Sequence, residues 1–265
     1  MVLQKIFEGV SSLTQESIKA RLGEAGIENA AQEARMLYEA FSGEALENAV
    51  QRRCARYPLQ YILGEWGFWR ESYEVSEHCL VPRPDTEHLV EQAISRLPQG
   101  AHFLDLCTGS GCVAISTLCS RPDTRAVAID LFPETLALAQ RNAVRNGVNE
   151  RFTPRLCDVL KGCECEERFD AILSNPPDIR AEAMNALAQE VRHEPSAALL
   201  GGEDGMDFYR AILGKWRKLL KDGGFFLFEI GYDQADEIRA LAATHGLCAT
   251  IFRDYGGNDR VALIK

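Results

Sequence analysis

The chain lacks the features that mark several common classes of protein. No run of lysine and arginine occurs, and 39 acidic against 29 basic residues leave a net charge of −10. Because phosphate neutralisation supplies most of the affinity for nucleic acid, this balance argues against direct nucleic-acid binding. No run approaches the ~20 apolar residues of a membrane-spanning helix, and Met1–Gly9 lacks the charged start and long apolar core of a signal peptide. We therefore expect a cytoplasmic protein that does not bind membranes.

Cysteines at metal-binding spacing are also missing. The nine cysteines are odd in number and include no C-x-x-C pair. Cys163 and Cys165 lie in a loop-like stretch without histidines at zinc-site spacing. Others, such as Cys107 and Cys112, fall in apolar runs, where cysteine behaves as a small hydrophobe. The pattern predicts reduced thiols and no metal site.

Three stretches with different patterns of apolar and polar residues follow one another along the chain. Residues 1–65 have apolar positions at helical spacing, which predicts a helical N-terminal domain. Residues 66–84 alternate apolar and polar side chains and predict a β-hairpin connector; Asp85 or Thr86 is then expected to cap a helix. Residues 85–265 alternate strand-like and helix-like segments, which predicts an α/β fold with a mainly parallel, doubly wound sheet.

The predicted sheet has seven strands, the last of them antiparallel. The expected strands are His102–Cys107, Arg125–Ile129, Phe152–Cys157, Phe169–Ser174, Phe225–Ile230, Leu247–Arg253 and Arg260–Ile264. The expected helices of this part are Gly111–Cys119, Pro133–Asn146, Ala181–Glu190, Phe208–Leu220 and Asp233–His245. The link between the final two strands is short enough only for an antiparallel pair. A parallel sheet closed in this way is the Rossmann-like class I methyltransferase variant of the architecture.

A glycine-containing turn follows the first predicted strand of this sheet. In open α/β sheets, ligands bind beyond the carboxyl ends of the strands, so the turn of Cys107, Thr108, Gly109, Ser110 and Gly111 is the candidate cofactor loop. Its glycines permit positive φ and close backbone approach. Ala114 replaces the third glycine of G-x-G-x-x-G, which argues against a dinucleotide pyrophosphate.

Two carboxylates at later strand ends complete the candidate cofactor site. Asp130 ends the second strand, where a carboxylate can accept hydrogen bonds from ribose hydroxyls; the alternative is a solvated loop acid or a helix cap. Asp158 ends the third strand and can accept from an adenine amino group, with Val159 offering a backbone amide and an apolar edge. The alternative for Asp158 is an ordinary turn aspartate.

Asn175-Pro176-Pro177 follows the fourth strand and is the candidate reaction site. The prolines stiffen the backbone and remove its donors, so the Asn175 side-chain oxygen and a proline carbonyl can both accept hydrogen bonds from one NH₂ group. Such a grip would direct the nitrogen lone pair at the methyl group of S-adenosylmethionine. Positioning of this kind supplies much of a rate without a metal. The alternative is a rigid structural turn.

The chain resembles the release factor glutamine methyltransferases, the HemK/PrmC type, over nearly its whole length. The resembling segments are Pro58–Glu65 with Phe68, Val81–Glu87, Asp105–Gly111, Asp130, Ser174–Pro177, Glu194-Pro195 and Arg253–Gly256. The Pro-Arg-Pro-Asp-Thr-Glu and connector segments discriminate most, because amino-directed DNA methyltransferases share the Asn-Pro-Pro element.

The resemblance implies methylation of the glutamine N5 in the Gly-Gly-Gln motif of peptide chain release factors. It implies that Cys107–Gly111, Asp130, Asp158 and Val159, with Asn175, hold S-adenosylmethionine, which leaves as S-adenosylhomocysteine. Asn175, Pro176 and Pro177 would hold the substrate amide, with position 178 completing the pocket wall. The N-terminal helices would help dock the release factor. Arg83 and Glu87 would lie near the entrance, or form an ordinary surface ion pair.

Asp178 departs from the tyrosine of the family. A ring there would pack against the substrate amide, whereas a carboxylate would stabilise the cationic cofactor more than the less charged transition state and slow transfer. Two alternatives to glutamine methylation therefore stay open. One is N6-adenine methylation of nucleic acid, and the other is a catalytically weak S-adenosylmethionine-binding protein that docks release factors.

Overall fold

The structure is a computed structural model that describes residues 13–265. By their contacts, the described residues divide into two units, one comprising residues 13–64 with Gln189–His193, the other Glu65–Ala188 with Glu194–Lys265. The expectation for Met1–Gly9, and the start of the predicted N-terminal domain, lie outside the described residues. Within residues 13–265, the helices are all too short or too polar to cross a bilayer.

The first unit is helical. Its helices are α1 (Gln15–Glu24), α2 (Ala30–Ala40), α3 (Gly43–Cys54) and α4 (Leu59–Leu63). A capping box at Thr14 starts α1, because the Thr14 hydroxyl accepts from the Ser17 amide while the Ser17 hydroxyl accepts from the Thr14 amide. Ile18, Leu22 and Leu37 are fully buried between the helices, so the apolar spacing read from the sequence does form a core.

A buried arginine ties a distant segment to these helices. Arg53 on α3 is 5% exposed; its Nε lies 2.5 Å from Glu33 Oε2 and its Nη1 3.2 Å from Glu190 Oε1. Arg56 Nε reaches the same Glu190 oxygen at 2.8 Å. The segment Gln189–His193 therefore belongs to the helical unit through charge-assisted hydrogen bonds.

The second unit begins with the predicted hairpin and contains the predicted sheet. Its strands are β1 (Glu65–Phe68), β2 (Glu71–Glu74), β3 (His102–Leu106), β4 (Arg125–Asp130), β5 (Phe152–Leu156), β6 (Phe169–Ser174), β7 (Leu220–Glu229), β8 (Ala249–Arg253) and β9 (Asp259–Ile264). Its α-helices are α5 (Glu87–Arg96), α6 (Cys112–Ser120), α7 (Pro133–Arg145), α8 (Asp207–Ala211) and α9 (Ala235–Thr244).

The large sheet has the order β5-β4-β3-β6-β7-β9-β8. Strands β3 to β7 pair in parallel, and β9 is antiparallel to both β7 and β8. The predicted fold class, with seven strands and the last one antiparallel, is confirmed. Because β3 and β6 are neighbours at the centre, the cofactor turn after β3 and the Asn-Pro-Pro segment after β6 leave the same sheet edge side by side.

Two predicted elements differ from the structure. The helix expected over Ala181–Glu190 is wrong, because only a 3₁₀ helix over Ala181–Ala186 forms, and none of its residues is buried. Without an apolar face to bury, the cost of nucleating an α-helix is not offset. The strand expected from Phe225 begins at Leu220 instead, with an irregularity in its pairing to β6 at Phe169 and Ala171.

The helix expected over Phe208–Leu220 is confirmed as helical but changes pitch along its length. It continues from α8 as a π-helical stretch, Ile212–Trp216, and ends as a 3₁₀ turn, Arg217–Leu219. Trp216 is fully buried, and its Nε1 donates to the Val159 carbonyl at 2.9 Å. This helix therefore packs against the loop that carries Asp158.

Candidate active site

The cofactor turn adopts backbone conformations that its glycines make possible. Gly109 and Gly111 have φ of 55° and 83°, and Cys107 also has a positive φ of 59°. A Cβ on Gly111 would lie 2.8 Å from Ile115 Cδ1 and 3.3 Å from Ala139 Cβ, so only glycine fits between α6 and α7. A Cβ on Gly109 would meet nothing within 4 Å, which leaves its backbone open to a ligand.

Asp130 anchors this turn through its carboxylate. Its Oδ2 accepts from the Gly109 amide at 3.0 Å, and its Oδ1 accepts from the amides of Leu131 at 2.8 Å and Phe132 at 3.3 Å. Burial is the main cause that raises the pKa of Asp130 above its ordinary value. A carboxylate offers about four acceptor sites, so room remains for a hydroxyl hydrogen bond at Oδ2.

Ser110 and Asp105 supply the buried polar atoms of the turn. Ser110 is 3% exposed, and its Oγ has no hydrogen-bond partner among the described residues. Thr108 Oγ1 donates to Asp105 Oδ2 at 2.6 Å, and burial raises the pKa of Asp105 to about 7. A buried hydroxyl without a partner costs free energy, so Ser110 fits a polar ligand at this turn.

Asp158 sits in a local turn that follows β5. Its Oδ1 accepts from the Leu160 amide at 2.9 Å, and its Oδ2 lies 3.3 Å from Lys161 Nζ. These are the contacts of a turn aspartate. Val159 is 4% exposed and provides an apolar surface beside it.

The reaction segment is fixed to the end of β3 and to the connector. Ser174 Oγ donates to the Leu106 carbonyl at 2.7 Å, which ties the end of β6 to the start of the cofactor turn. Asn175 Nδ2 donates to Thr86 Oγ1 at 3.1 Å. The amide group of Asn175 is therefore engaged on its nitrogen side, and its Oδ1 is the remaining acceptor.

One cavity brings most of the predicted site residues together. Nine of the twelve line it, namely Cys107, Thr108, Gly109, Ser110, Asp130, Asp158, Val159, Asn175 and Pro177. Gly111, Pro176 and Asp178 are not among its lining residues. The cavity is also lined by Thr86, Arg83, Phe132 and Pro195. For Thr86, the sequence pattern predicted only the role of a helix cap. In the structure Thr86 makes no side-chain capping bond to α5.

Asp178 lies where glycines let the backbone pack closely. A Cβ on Gly201 would be 2.7 Å from Asp178 Cα and 2.8 Å from the Pro177 carbonyl oxygen. The Asp178 carbonyl accepts from Gln234 Nε2 at 3.1 Å. Burial raises the pKa of the Asp178 carboxyl to about 6, and the positive charge of Arg260 opposes the rise.

Arg83 and Glu87 have separate partners. Arg83 lines the cavity and pairs with Glu194, whose Oε2 also accepts from the Val81 amide at 3.0 Å. Glu87 does not line this cavity; its Oε1 accepts from the Trp69 amide at 2.7 Å. Glu194 is 6% exposed, so it joins the connector to the loop that continues with Pro195. Only the resemblance pointed to Glu194.

Comparisons with known proteins identify the family and the fold of the chain. A family model described as "Methyltransferase small domain" matches residues 85–203. The release factor glutamine methyltransferase of Geobacter sulfurreducens is 38% identical over 262 residues, covering 91% of each chain. That of Cereibacter sphaeroides is 40% identical, covering 91% of this chain and 93% of the relative. The match to the solved structure of a methyltransferase from Pyrococcus furiosus has 20% sequence identity and a TM-score of 0.55. It covers 72% of this chain and 86% of that chain, and it shows a shared fold only.

Proposed function

Because the chain belongs to the release factor glutamine methyltransferase family, we propose that it methylates N5 of the Gly-Gly-Gln glutamine in a peptide chain release factor. The family and the fold imply S-adenosylmethionine as the methyl donor. The observation that carries the proposal is the placement of Asn175, which lines the same cavity as the glycine turn and whose Oδ1 accepts no hydrogen bond from the residues that the structure describes.

The residues of the glycine turn fit the cofactor. Asp130 retains acceptor capacity for ribose hydroxyls, and the Ser110 hydroxyl lacks a partner among the residues that the structure describes. The donor supplies a methyl group already activated by the positive charge on sulfur. What the protein adds is position, since holding two reactants in line accounts for a large part of many rate enhancements.

Asn175 Oδ1 and one proline carbonyl would hold the glutamine amide. Two acceptors for the two N–H hydrogens leave the nitrogen lone pair as the only group free to meet the methyl carbon. As the new N–C bond forms, the bond from sulfur to the methyl carbon would break and S-adenosylhomocysteine would leave. Positive charge thus passes to the nitrogen, and the oxygens stabilise that charge in the transition state. One amide hydrogen then leaves as a proton. An oxygen nucleophile has no second hydrogen for this grip.

Asp130→Asn tests the cofactor side by calorimetric titration with S-adenosylmethionine. The substitution replaces one carboxylate oxygen, which accepts hydrogen bonds from backbone amides, with an NH₂ group that can only donate. The affinity for S-adenosylmethionine should therefore fall by roughly 10- to 100-fold. Glu134→Gln, an exposed change in the first turn of α7, is the matched control and should bind normally. Equal affinity for both variants would show that Asp130 does not hold the cofactor.

Mass spectrometry of a co-expressed release factor tests the activity. We expect one added methyl group on the Gly-Gly-Gln glutamine, and a loss of roughly 100-fold in rate for Asn175→Ala. Asn149→Ala, at an exposed position, serves as the control. Parallel incubations with labelled cofactor and either a release factor or duplex DNA separate glutamine from adenine methylation, and label in DNA alone would overturn the proposal.

A further inference from the structure

Asn142 is an uncharged polar residue on α7 with no exposed surface. A buried amide group without partners costs free energy, and Asn142 has three hydrogen bonds. Its Oδ1 accepts from the Glu74 amide at 2.7 Å. Its Nδ2 donates to the Glu74 carbonyl at 3.0 Å and to the Ser110 carbonyl at 2.9 Å. One side chain therefore joins the end of β2 to the glycine turn.

These partners fix the orientation of the Asn142 amide. A backbone N–H can only donate, and a backbone carbonyl can only accept. In the reversed orientation, Nδ2 would meet the Glu74 N–H, and Oδ1 would meet the carbonyls of Glu74 and Ser110. All three hydrogen bonds would then be lost, so the backbone atoms alone determine which way the amide points.

At one end of this link, Ser110 is part of the cavity wall. It precedes Gly111, the N-cap of α6, so its carbonyl lies before the helical ladder that the Ile115 amide begins by donating to the Gly111 carbonyl at 2.9 Å. Asn142 gives the Ser110 carbonyl a donor from another helix. The position of Ser110 in the wall therefore depends on α7, which follows the next strand of the sheet.

At the other end, Glu74 begins the connector that forms a second part of the wall. Residues 78–83, which follow β2, all line the cavity. Thr135 lies two helical turns before Asn142 on α7, and its Oγ1 donates to the His78 carbonyl at 2.7 Å. The same helix therefore holds the connector at two points, and Asn142 is the point that also reaches the glycine turn.

We propose that Asn142 is a positioning residue for S-adenosylmethionine, because it joins the glycine turn to the hairpin connector and so sets both parts of the cavity wall before the cofactor binds. The inference rests on the proposed function for its cofactor only. Asn142 does not itself line the cavity and acts through Ser110. A turn that is already held in place has less freedom to lose on binding, so the link should raise the affinity for the cofactor.

Calorimetric titration with S-adenosylmethionine compares two asparagines near the end of α7. Asn142→Ala removes all three hydrogen bonds and should weaken binding about tenfold or more. Asn146→Ala is the matched control, because Asn146 Nδ2 donates to the Ser72 carbonyl in the same hairpin at 3.1 Å and to the Asn142 carbonyl at 3.0 Å, and not to the glycine turn. This control should bind as wild type does. Equal affinities for wild type and Asn142→Ala would overturn the inference.

A second variant and urea unfolding separate positioning from stability. Asn142→Asp keeps Oδ1 and the shape of the side chain but places an acceptor against the Ser110 carbonyl, so it should also weaken binding about tenfold or more. Both variants should unfold at lower urea concentration than wild type. A residue that only stabilised the fold would leave the affinity of the folded protein unchanged, and that result for either variant would contradict the inference.

A measurement on the wild type requires no variant to fold. Saturating S-adenosylmethionine should shift the nuclear magnetic resonance signals of the Asn142 side-chain NH₂ and the Glu74 backbone amide, because both groups belong to the link with Ser110. The Asn146 side-chain NH₂ is the internal reference and should move less. Signals of Asn142 and Glu74 that stay in place at saturation would refute the inference.

Failure of the inference and failure of the proposed function give different results. No release factor is present in these titrations, so their outcome does not depend on glutamine methylation. Tight cofactor binding that is the same in wild type and Asn142→Ala would remove the inference and leave the proposed function. A release factor without an added methyl group, together with weakened cofactor binding in Asn142→Ala, would remove the proposed function and leave the inference.

Discussion

At the residue scale, position 178 carries an aspartate in place of the aromatic residue that the resemblance predicts. Asp178 does not line the cavity, and its Oδ2 lies 3.3 Å from where a Cβ on Gly231 would stand. The missing side chain at Gly231 therefore makes room beside position 178. Its pKa of about 6 means that the carboxyl is mostly charged at neutral pH.

Asp178→Tyr is expected to raise the methylation rate by roughly three- to tenfold, about 1 kcal/mol of barrier. The ring adds a packing surface and removes a charge that favours the cationic cofactor over the transition state. Asp178→Asn removes the charge alone and should give a smaller gain. Single-turnover rates with a release factor substrate measure both, and a rate for Asp178→Tyr at or below wild type would refute this account of position 178.

At the scale of elements, glycines in the loop between the 3₁₀ helices and α8 determine where the reaction segment lies. Gly205 has φ of 76°, and a Cβ on it would overlap the Asp178 carbonyl oxygen. Gly201 is similarly close to Pro177 and Asp178. The segment after β6 is held by backbone contact with a second loop, so its position depends on residues more than twenty positions away.

Gly205→Ala should destabilise the fold by about 2–4 kcal/mol and lower activity, because strain at positive φ adds to a backbone clash. Gly257→Ala separates the two effects. Gly257 has φ of 85°, and a Cβ on it would meet nothing within 4 Å, so this change should cost only about 1–2 kcal/mol. Urea unfolding and turnover are the measurements, and equal losses would show that the clash is relieved.

In the helical unit, Arg53 holds the distant segment Gln189–His193 in place through its contacts with Glu33 and Glu190. Arg53→Ala should leave the carboxylates of Glu33 and Glu190 without their shared partner and destabilise this unit by about 3 kcal/mol. Proteolysis should then cut within Gln189–His193 sooner than in wild type. Arg35→Ala removes an exposed pair with Glu39 at 3.8 Å and should change stability by less than about 1 kcal/mol. Similar cleavage of both variants would contradict the assignment.

At the scale of the whole molecule, buried acids make stability depend on pH. Burial raises the pKa of Asp105 to about 7 from an ordinary value of 3.8. Between these two values the folded state keeps a proton that the unfolded state has lost. The contribution of Asp105 to the free energy of unfolding therefore falls as pH rises through this window and levels off above it.

The stability of wild type relative to Asp105→Asn should fall between about pH 4 and about pH 7 by at most about 1.4 kcal/mol per pH unit. Urea unfolding at several pH values without cofactor measures the difference. Asp123→Asn is the control, because Arg121 lowers the pKa of Asp123, so its difference should stay flat from about pH 5 to about pH 7 and change only below about pH 4. A flat curve for Asp105→Asn would refute the burial assignment.

Local signals were enough to predict most elements and most of the residues that line the candidate site. Pro133 at its start and Gly147 after its end predicted α7 to within one residue, since a proline start and a glycine stop act through local backbone geometry. Alternation of strands and helices predicted the sheet. Strand-end positions predicted Asp130 and Asn175, because the carboxyl ends of parallel strands share one edge.

Contacts between residues that are distant in sequence could not be predicted from local signals. Thr86 reads as a helix cap in the chain and instead contacts Asn175, 89 positions away. Ala181–Glu190 has helix-forming residues, yet the 3₁₀ helix that forms there has no buried face, and Glu190 is held instead by Arg53 and Arg56.

The sequence by itself determined the fold class, the cofactor turn and the Asn-Pro-Pro segment, because each depends on the conformational limits of a few adjacent residues and on a repeating apolar pattern. Only the tertiary structure decided which groups fix the Asn175 amide, how Gly201 and Gly205 seat Asp178, and which carboxyls are buried. Those outcomes depend on which atoms meet across the sheet edge and on how much water is excluded there, and neither quantity is written in local sequence.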